Sequence, residues 1–489
     1  MPRVLIDTAN GQLHDRTQQA EAFEALPIFN ELVSSMTTKV DCARISQEVK
    51  QFYRYVMFSH KWELAEPLLQ NVKRITVYKL KVSPANTKLQ SFCSLARSLG
   101  FQWAWSDTCC IDRENNVVLQ ESLVAMFNWY HGSDLTLVYL HDVSSQLQKP
   151  GDLGRSTWNT RVWTYQEYVA AKRVLFYTQD WKPYLGLELS NHKEAPAVIS
   201  EMEVLQVSTQ QLAVLRPDLD KVREKLYLAS MRETTFVEDT AYSLLGIFNA
   251  AIPVIYGEGN RAVGRLLGYV LTGSGDVTIL AWTGDVNIYN SCLPMNLTVY
   301  NDVVPPHIRP LMETAEVDRI VSELPLSLPD PSLATTLYDR LDKLPLASLV
   351  ASRLRLPGIV STVTELVHTS GPDAKTKLNV FHVATALFGD MVIETTSNLA
   401  SMNELYLVHP WIRPLLDQEF SHDVAGLDKT MRALRLTARL RQPFGALLFK
   451  RVTRVEHERV ATDSFIMAQV CKDVPLTDLI DNIRTIDVQ

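Results

Sequence analysis

The sequence predicts an α/β fold in its N-terminal part, a parallel sheet flanked by helices with a helical extension, followed by a C-terminal mixed α+β domain. Three observations carry this. Between residues 53 and 177 four short strand-like runs (YRYVMFS, FQWAWS, LTLVYLH and RVLFY) alternate with helical segments or connections, the order that builds a parallel sheet with right-handed crossovers. From about 195 to 272 apolar residues recur at helical spacing. Beyond about 336 strand-like runs return.

Taken in order, Val4 to Asp7 reads as a short strand, followed by an Asn-Gly turn at residues 10–11. Gln18 to Met36 holds enough helix formers for one helix. The strand at 53–59 runs into His60-Lys61-Trp62-Glu63, an abrupt change to polar and aromatic residues. Leu89, Phe92, Cys93, Ala96 and Leu99 share a helical face, and Gly100 is placed to end that helix. The aromatic run at 101–106 has strand propensity and stops at the polar turn Asp107-Thr108-Cys109-Cys110-Ile111-Asp112. Leu119, Leu123, Met126, Phe127 and Tyr130 then line one face of a helix. The apolar run at 135–141 fits a buried parallel strand. A loop rich in Ser, Gln, Gly and Pro leads to Arg161 and a helix opening Trp163-Thr164-Tyr165-Gln166-Glu167.

Further on, Ala241, Leu244, Leu245 and Phe248 form one stripe, and Ala262, Val263, Leu266, Leu267, Val270 and Leu271 another. Pro253 and Gly257 separate them, so two helices are expected to pack on the sheet domain. Prolines crowd residues 294–332, which marks a linker or loop-rich entry over 286–335. In the remainder, 336–489, strands are expected at 378–384, 391–394, 404–408 and 446–449. Leu434, Leu436, Ala438 and Leu440 alternate with Arg435, Thr437, Arg439 and Arg441, which reads as a strand with one basic face.

Composition limits the function classes. The 489 residues are 46% hydrophobic and 21% charged, ordinary values for a globular chain of more than one domain. A net charge of −7 argues against general nucleic-acid binding. No run of about 18 apolar residues occurs and the N-terminus lacks the apolar core of a signal peptide, so the expectation is a soluble, cytoplasmic protein without a membrane partner. Six cysteines are too sparse for a disulfide framework, and adjacent Cys109 and Cys110 are expected as thiols. Their spacing is not that of a zinc site, and no metal is expected.

In open α/β sheets ligands sit beyond the carboxyl ends of the strands. The Asp107 turn, the 142–160 loop and the helix start at Trp163 should therefore line one cleft. Trp163 and Glu167 are one turn apart and share a helical face. The duller reading makes Trp163 core and Glu167 a salt-bridged carboxylate. His60 and Cys109 could pair as a thiol nucleophile, although such cysteines are more often small buried hydrophobes. Arg161 could bind a phosphate or carboxylate, or pair with Asp152.

The blocks YVMFSHKW (55–62), DTCCID (107–112), RVWTYQE (161–167), RETTFVEDTAYSLLGIFN (232–249) and PVIYGEG (253–259) resemble, in content and order, the fungal heterokaryon-incompatibility (HET) domain family over roughly residues 1–285. Where that family usually has glycine, this chain has Glu63 and Val162. The chain has no Walker A motif. HET domains are in turn similar to TIR domains, so the resemblance implies a TIR-like, flavodoxin-like sheet and a role in cell death on non-self recognition. Some TIR domains hydrolyse NAD through a glutamate at the position of Glu167. What the resemblance implies is therefore a site with Glu167 as catalytic carboxylate and Ser59, His60, Lys61, Trp62, Asp107, Asp112, Arg161 and Trp163 on the substrate. NAD would be the substrate rather than a cofactor. Homo-oligomerisation is implied too, with a protein partner for the C-terminal domain. The competing reading is a non-enzymatic signalling module that recruits a partner.

Overall fold

The computed structural model describes residues 1–36, 40–204, 218–219, 221–301, 319, 321, 332–370, 378–411, 429–471 and 473–489. The chain divides into two compact units, residues 1–218 with 232–249, and residues 219–231 with 250–489.

In the first unit the expected strands form, together with a short one at Leu13–His14 that was not expected. They are β1 (Leu5–Asp7), β2 (Leu13–His14), β3 (Tyr55–His60), β4 (Trp103–Trp105), β5 (Leu135–Leu140) and β6 (Val174–Thr178). They make one sheet in the order β2-β1-β4-β3-β5-β6. The pairs β3–β4, β3–β5 and β5–β6 are parallel, and β1 closes antiparallel on β4. All six residues of β3 are buried, as a central strand covered on both faces requires. The chain leaves β3 for β4 on one side and later returns to β5 on the other. The end of β3 is thus a topological switch point, where ligand crevices form in open sheets.

The helices of this unit are α1 (Arg16–Glu24), α2 (Pro27–Met36), α3 (Cys42–Phe52), α4 (Leu69–Ile75), α5 (Pro84–Ser98), α6 (Asn116–Gly132), α7 (Asp152–Arg155), α8 (Val162–Ala170) and α9 (Pro196–Val204). The single helix expected over 18–36 is two, because Pro27 cannot continue α1. α5 begins as its sequence dictates, with the Ser83 side chain accepting from the Asn86 N–H and proline in the first turn. Gly100 takes a positive φ (+83°) just past its end. The 241–248 stripe forms one helical turn, Asp239–Tyr242, and continues as turns to Asn249. A Cβ at Gly246 would sit 2.1 Å from Phe127 Cβ, so glycine there lets this segment lie against α6.

The second unit is built mainly on antiparallel pairing. Its strands are β7 (Val286–Asn287), β8 (Asn290–Pro294), β9 (Ser348–Val350), β10 (Arg353–Ser370), β11 (Asn379–Thr385), β12 (Met391–Thr395), β13 (Leu405–Pro410), β14 (Phe444–Arg451), β15 (Glu456–Val460), β16 (Ile466–Ala468) and β17 (Ile483–Val488). β7 and β8 pair as a hairpin and the other nine form one sheet around β10, in which β15 and β17 are parallel. The expected strands at 378–384, 391–394, 404–408 and 446–449 all fall within it. Prolines 305, 306, 310, 325, 329 and 331, on which the linker reading rested, lie outside the described residues, as does part of the helical stretch after 195.

Two expectations are corrected here. The 262–271 stripe forms the helix Arg261–Ser274, but that helix belongs to the second unit, where Gly268 faces Leu349 of β9. Residues 433–441 are not a strand. They lie in the helix Lys429–Leu440, which buries Ala433, Leu434, Leu436, Thr437, Ala438 and Leu440. The same letters satisfy both periods, since 433, 436, 437 and 440 also recur at helical spacing. Ala, Leu and Arg favour the helix and only Thr437 is β-branched.

Candidate active site

Ser59 and His60 end β3, and as consecutive strand residues they point to opposite faces of the sheet. Each anchors its own cluster.

On the Ser59 face the partner is Glu167 of α8. The Ser59 hydroxyl donates to Glu167 Oε2, and the Trp158 indole N–H donates to Ser59 Oγ at 2.9 Å. Tyr130 of α6, whose hydroxyl donates to the Phe58 carbonyl at 2.7 Å, also faces the Glu167 carboxyl. Trp158 packs edge-on against Tyr168 and Phe176. Its loop is tied down at Asp142, which accepts from the Ser156 hydroxyl and from both the backbone and hydroxyl of Thr157. Arg232 ties it again, donating to the Asn159 side chain at 2.9 Å and to the Arg161 carbonyl at 3.0 Å.

Glu167 is only 5% exposed. Burial pushes its carboxyl up, the charge of Asp107 adds to this, and Ser59, Tyr130 and Arg232 pull it part of the way back, leaving it at about 8. At neutral pH this carboxyl is protonated. Burial also lowers Arg232, to about 10, against the pull of Tyr165 and Glu167.

On the His60 face the carboxylate is Asp107. Trp62 Nε1 donates to Asp107 Oδ2 at 2.7 Å, and His60 Nε2 lies 3.5 Å from Oδ1. The Arg113 guanidinium is 3.9 Å from Asp107 and stacks on the Trp62 ring at 4.1 Å. Burial pushes Asp107 up, but the hydrogen bond and charge of His60, the charge of Arg113 and the Trp62 N–H outweigh it, so the carboxyl sits below its ordinary value and is ionised. Behind His60 is a buried ion pair. Glu66 Oε1 lies 3.7 Å from His60 Nδ1 and accepts from Lys88 Nζ of α5, which has Glu63 at 3.5 Å as a second partner.

Of the other expected residues, Lys61 is half-buried, and its carbonyl accepts from His60 Nδ1 at 3.2 Å and Lys88 Nζ at 3.4 Å. Asp112 accepts from the Glu114 N–H at 3.1 Å within its own turn. Arg161 donates to Thr235 Oγ1 at 3.1 Å. Trp163 is half-buried at the start of α8, and the indole that reaches the Ser59 cluster is that of Trp158. Glu63 and Val162 do not take positive φ, so neither backbone position demands the family's glycine. Cys109 is not paired with His60. The hydrogen bond with Cys110 and burial hold its thiol well above the ordinary value, the opposite of an activated nucleophile. Among the described residues no group of three or more His, Cys, Asp or Glu is placed to hold a metal ion, and no helix is long and apolar enough to cross a membrane.

Sequence reasoning missed Trp158, Tyr130, Arg232, Glu66 and Lys88. Tyr130 was counted only as part of an apolar helix face, Trp158 lay in a loop read for its small polar residues, and Arg232 opened a block read as architectural. The clearest available signal was HKWELAE itself, where Glu63 and Glu66 follow His60 in a strand-end turn that carries one lysine.

Comparison with known proteins finds two matches. The model of the family described as heterokaryon incompatibility protein (HET) matches residues 55–152, from the start of β3 to the start of α7. The vegetative incompatibility protein HET-E-1 of Podospora anserina is 35% identical over 228 residues, covering 43% of this chain and 16% of its own length. The chain thus spans only a small part of that relative. No solved structure matches. Over residues 55–152 the chain is thus similar to the heterokaryon-incompatibility (HET) family.

Proposed function

We propose that this chain is a heterokaryon-incompatibility-type protein that promotes cell death in non-self recognition by hydrolysing the nicotinamide–ribosyl bond of NAD. The observation that carries the proposal is a carboxyl group, Glu167, held at a topological switch point in surroundings that move its proton affinity to about 8. The parallel strands run β4-β3-β5-β6 across the sheet, which in their own chain order is 2-1-3-4. This supports a flavodoxin-like and TIR-like reading of the domain. HET-E-1 is named for vegetative incompatibility, which supports the biological role.

The chemistry asks little of the protein. The C1′–N bond breaks with its electron pair leaving on nicotinamide, which loses its pyridinium charge, while water adds its oxygen to C1′ and releases a proton. The transition state resembles an oxocarbenium ion, which an ionised carboxylate stabilises, as in glycoside hydrolysis, so Glu167 acts here once it has given up its proton. Homo-oligomerisation, a cytoplasmic site of action and a protein partner for the C-terminal part belong to the same proposal on the strength of the family resemblance.

One observation favours a second reading. Glu167 is almost fully buried and bonded by its own chain, as a structural carboxyl in a non-enzymatic signalling module would be. Direct measurement of nicotinamide release by the purified chain at high concentration separates the two, with Glu167→Gln alongside. Release by wild type and a loss of at least about 100-fold in the variant, the usual scale for a transition-state stabiliser, supports hydrolysis. Equal release by both removes Glu167 from the chemistry, and no release by oligomeric wild type favours the signalling module.

A further inference from the structure

The carboxylate that a ligand can reach in this conformation is not Glu167. Asp107 keeps 19% of its side chain exposed, and it lies on the other face of β3. Around it the sheet edge is lined by rings. His60 is paired in register with Tyr139 of β5. Tyr139 stacks on Trp181 at 4.8 Å, Trp181 lies 5.9 Å from Phe58, and Phe58 stacks on His60 at 4.2 Å. Trp62, Tyr139 and Trp181 are all half-buried. Trp181 adopts φ +57°, a strained backbone for a bulky side chain and one that tends to occur at ligand clamps. His60 Nε2 is buried and lies 3.5 Å from Asp107 Oδ1.

From these groups we infer that the end of β3 on its His60 face, where Asp107, His60, Trp62, Arg113, Tyr139 and Trp181 gather, is the seat of a nucleotide, with Asp107 on its ribose hydroxyls and Arg113 on its phosphate. The inference rests on the reading of the site as one for NAD or a related nucleotide, and it assigns which residues meet which part. A carboxylate has about four lone-pair directions. Trp62 takes one and His60 faces another, which leaves two for a pair of vicinal hydroxyls. Half-exposed aromatic faces suit a planar base or nicotinamide ring. Arg113 keeps 40% of its side chain exposed and lies 3.9 Å from Asp107, too far for a closed bidentate pair, so its donors remain available to an anion. Planar ring, diol and anion together describe a nucleotide. The Lys88–Glu66 pair behind His60 makes these two positioning residues, acting through His60 rather than on the ligand.

The test is equilibrium binding to the full chain of adenosine 5′-monophosphate, its 2′,3′-dideoxy analogue and adenosine, none of which needs to be cleaved. Adenosine 5′-monophosphate is expected to bind, and the dideoxy analogue about tenfold more weakly, the scale of one charge-assisted hydrogen bond. Asp107→Asn should weaken the nucleotide by a similar factor and no longer distinguish it from the dideoxy analogue. Arg113→Gln, at an exposed position where folding is not at issue, should weaken the monophosphate about tenfold while leaving adenosine unchanged. The inference is overturned by no binding at millimolar nucleotide, by an Arg113→Gln variant that treats nucleotide and nucleoside as wild type does, or by a folded Asp107→Asn variant that still distinguishes the diol. Nicotinamide release followed on the same samples separates the two proposals. Binding with this pattern but without release leaves the nucleotide seat standing and removes the hydrolytic reading.

Discussion

Ser59 and His60 are adjacent in the chain, and the two sides of the sheet they serve could hardly differ more. On the Ser59 side a carboxyl group is dry and protonated, and the indole of Trp158 donates onto the hydroxyl that holds it. On the His60 side a carboxylate is ionised, partly open to solvent and backed by a buried ion pair. Backbone position is shared, so the difference comes from what each face packs against. The neutral hydroxyls of Ser59 and Tyr130 meet the buried Glu167 carboxyl, and the nearby cation Arg232 is engaged with the loop. The Arg113 guanidinium, the His60 imidazole and the Trp62 indole N–H address Asp107. The two carboxyl groups also act on each other, because the charge on Asp107 helps to keep the proton on Glu167. Environments that differ in this way drive the proton affinities of two carboxyl groups apart.

The comparison can be broken most forcefully from behind. Glu66→Ala leaves Lys88 buried with only the more distant Glu63, and should cost about 3 to 4 kcal/mol in urea or thermal unfolding. Lys88→Met in the same chain should recover much of that loss, because a lone buried charge is worse than none. If Glu66→Ala unfolds as wild type does, the His60 side is not held by this pair.

The next effect is a pH dependence. Glu167 has a folded pKa of about 8 against an ordinary value of 4.5. Between those values the native chain holds a proton that the unfolded chain has released. Its contribution to stability is therefore full below the unfolded value and is lost as pH rises through the folded one. Glu167→Gln stays neutral throughout. From about pH 5 to about pH 8.5, wild type should lose about 3 to 4 kcal/mol relative to the variant, measured by chemical denaturation at each pH. Parallel profiles would mean that Glu167 is ionised and solvated at neutral pH.

Smaller effects sharpen the contrast. Trp158→Phe keeps the ring against Tyr168 and Phe176 but removes the N–H that Ser59 accepts, at a cost of about 1 kcal/mol. Arg113→Gln should change stability by less than about 0.5 kcal/mol, since its ion pair and its stacking are exposed. A larger loss there would place Arg113 in the architecture of the acidic turn instead of at its mouth.

The parallel strands of the first unit were legible because short apolar runs bounded by turn residues leave few alternatives once helical stretches separate them. Glu167 was legible through its place after the third of those strands, and Asp107 through its place in the turn after the second. The helix Lys429–Leu440 was not, because Ala433 to Arg441 satisfies a period of two and a period near 3.6 with the same apolar residues. Only the neighbours it packs against choose between them.

Sequence alone thus determined the order of the elements and the presence of polar and acidic residues at the ends of the central strands, since both follow from local composition and spacing. Tertiary structure alone decided that the expected single cleft is two clusters on opposite faces of β3, and it brought in Trp158, Tyr130, Arg232, Glu66 and Lys88 from elsewhere in the chain. The reason is physical. A strand sends consecutive side chains to opposite sides, and whether a carboxyl group keeps or loses its proton depends on the burial and charges that distant segments supply.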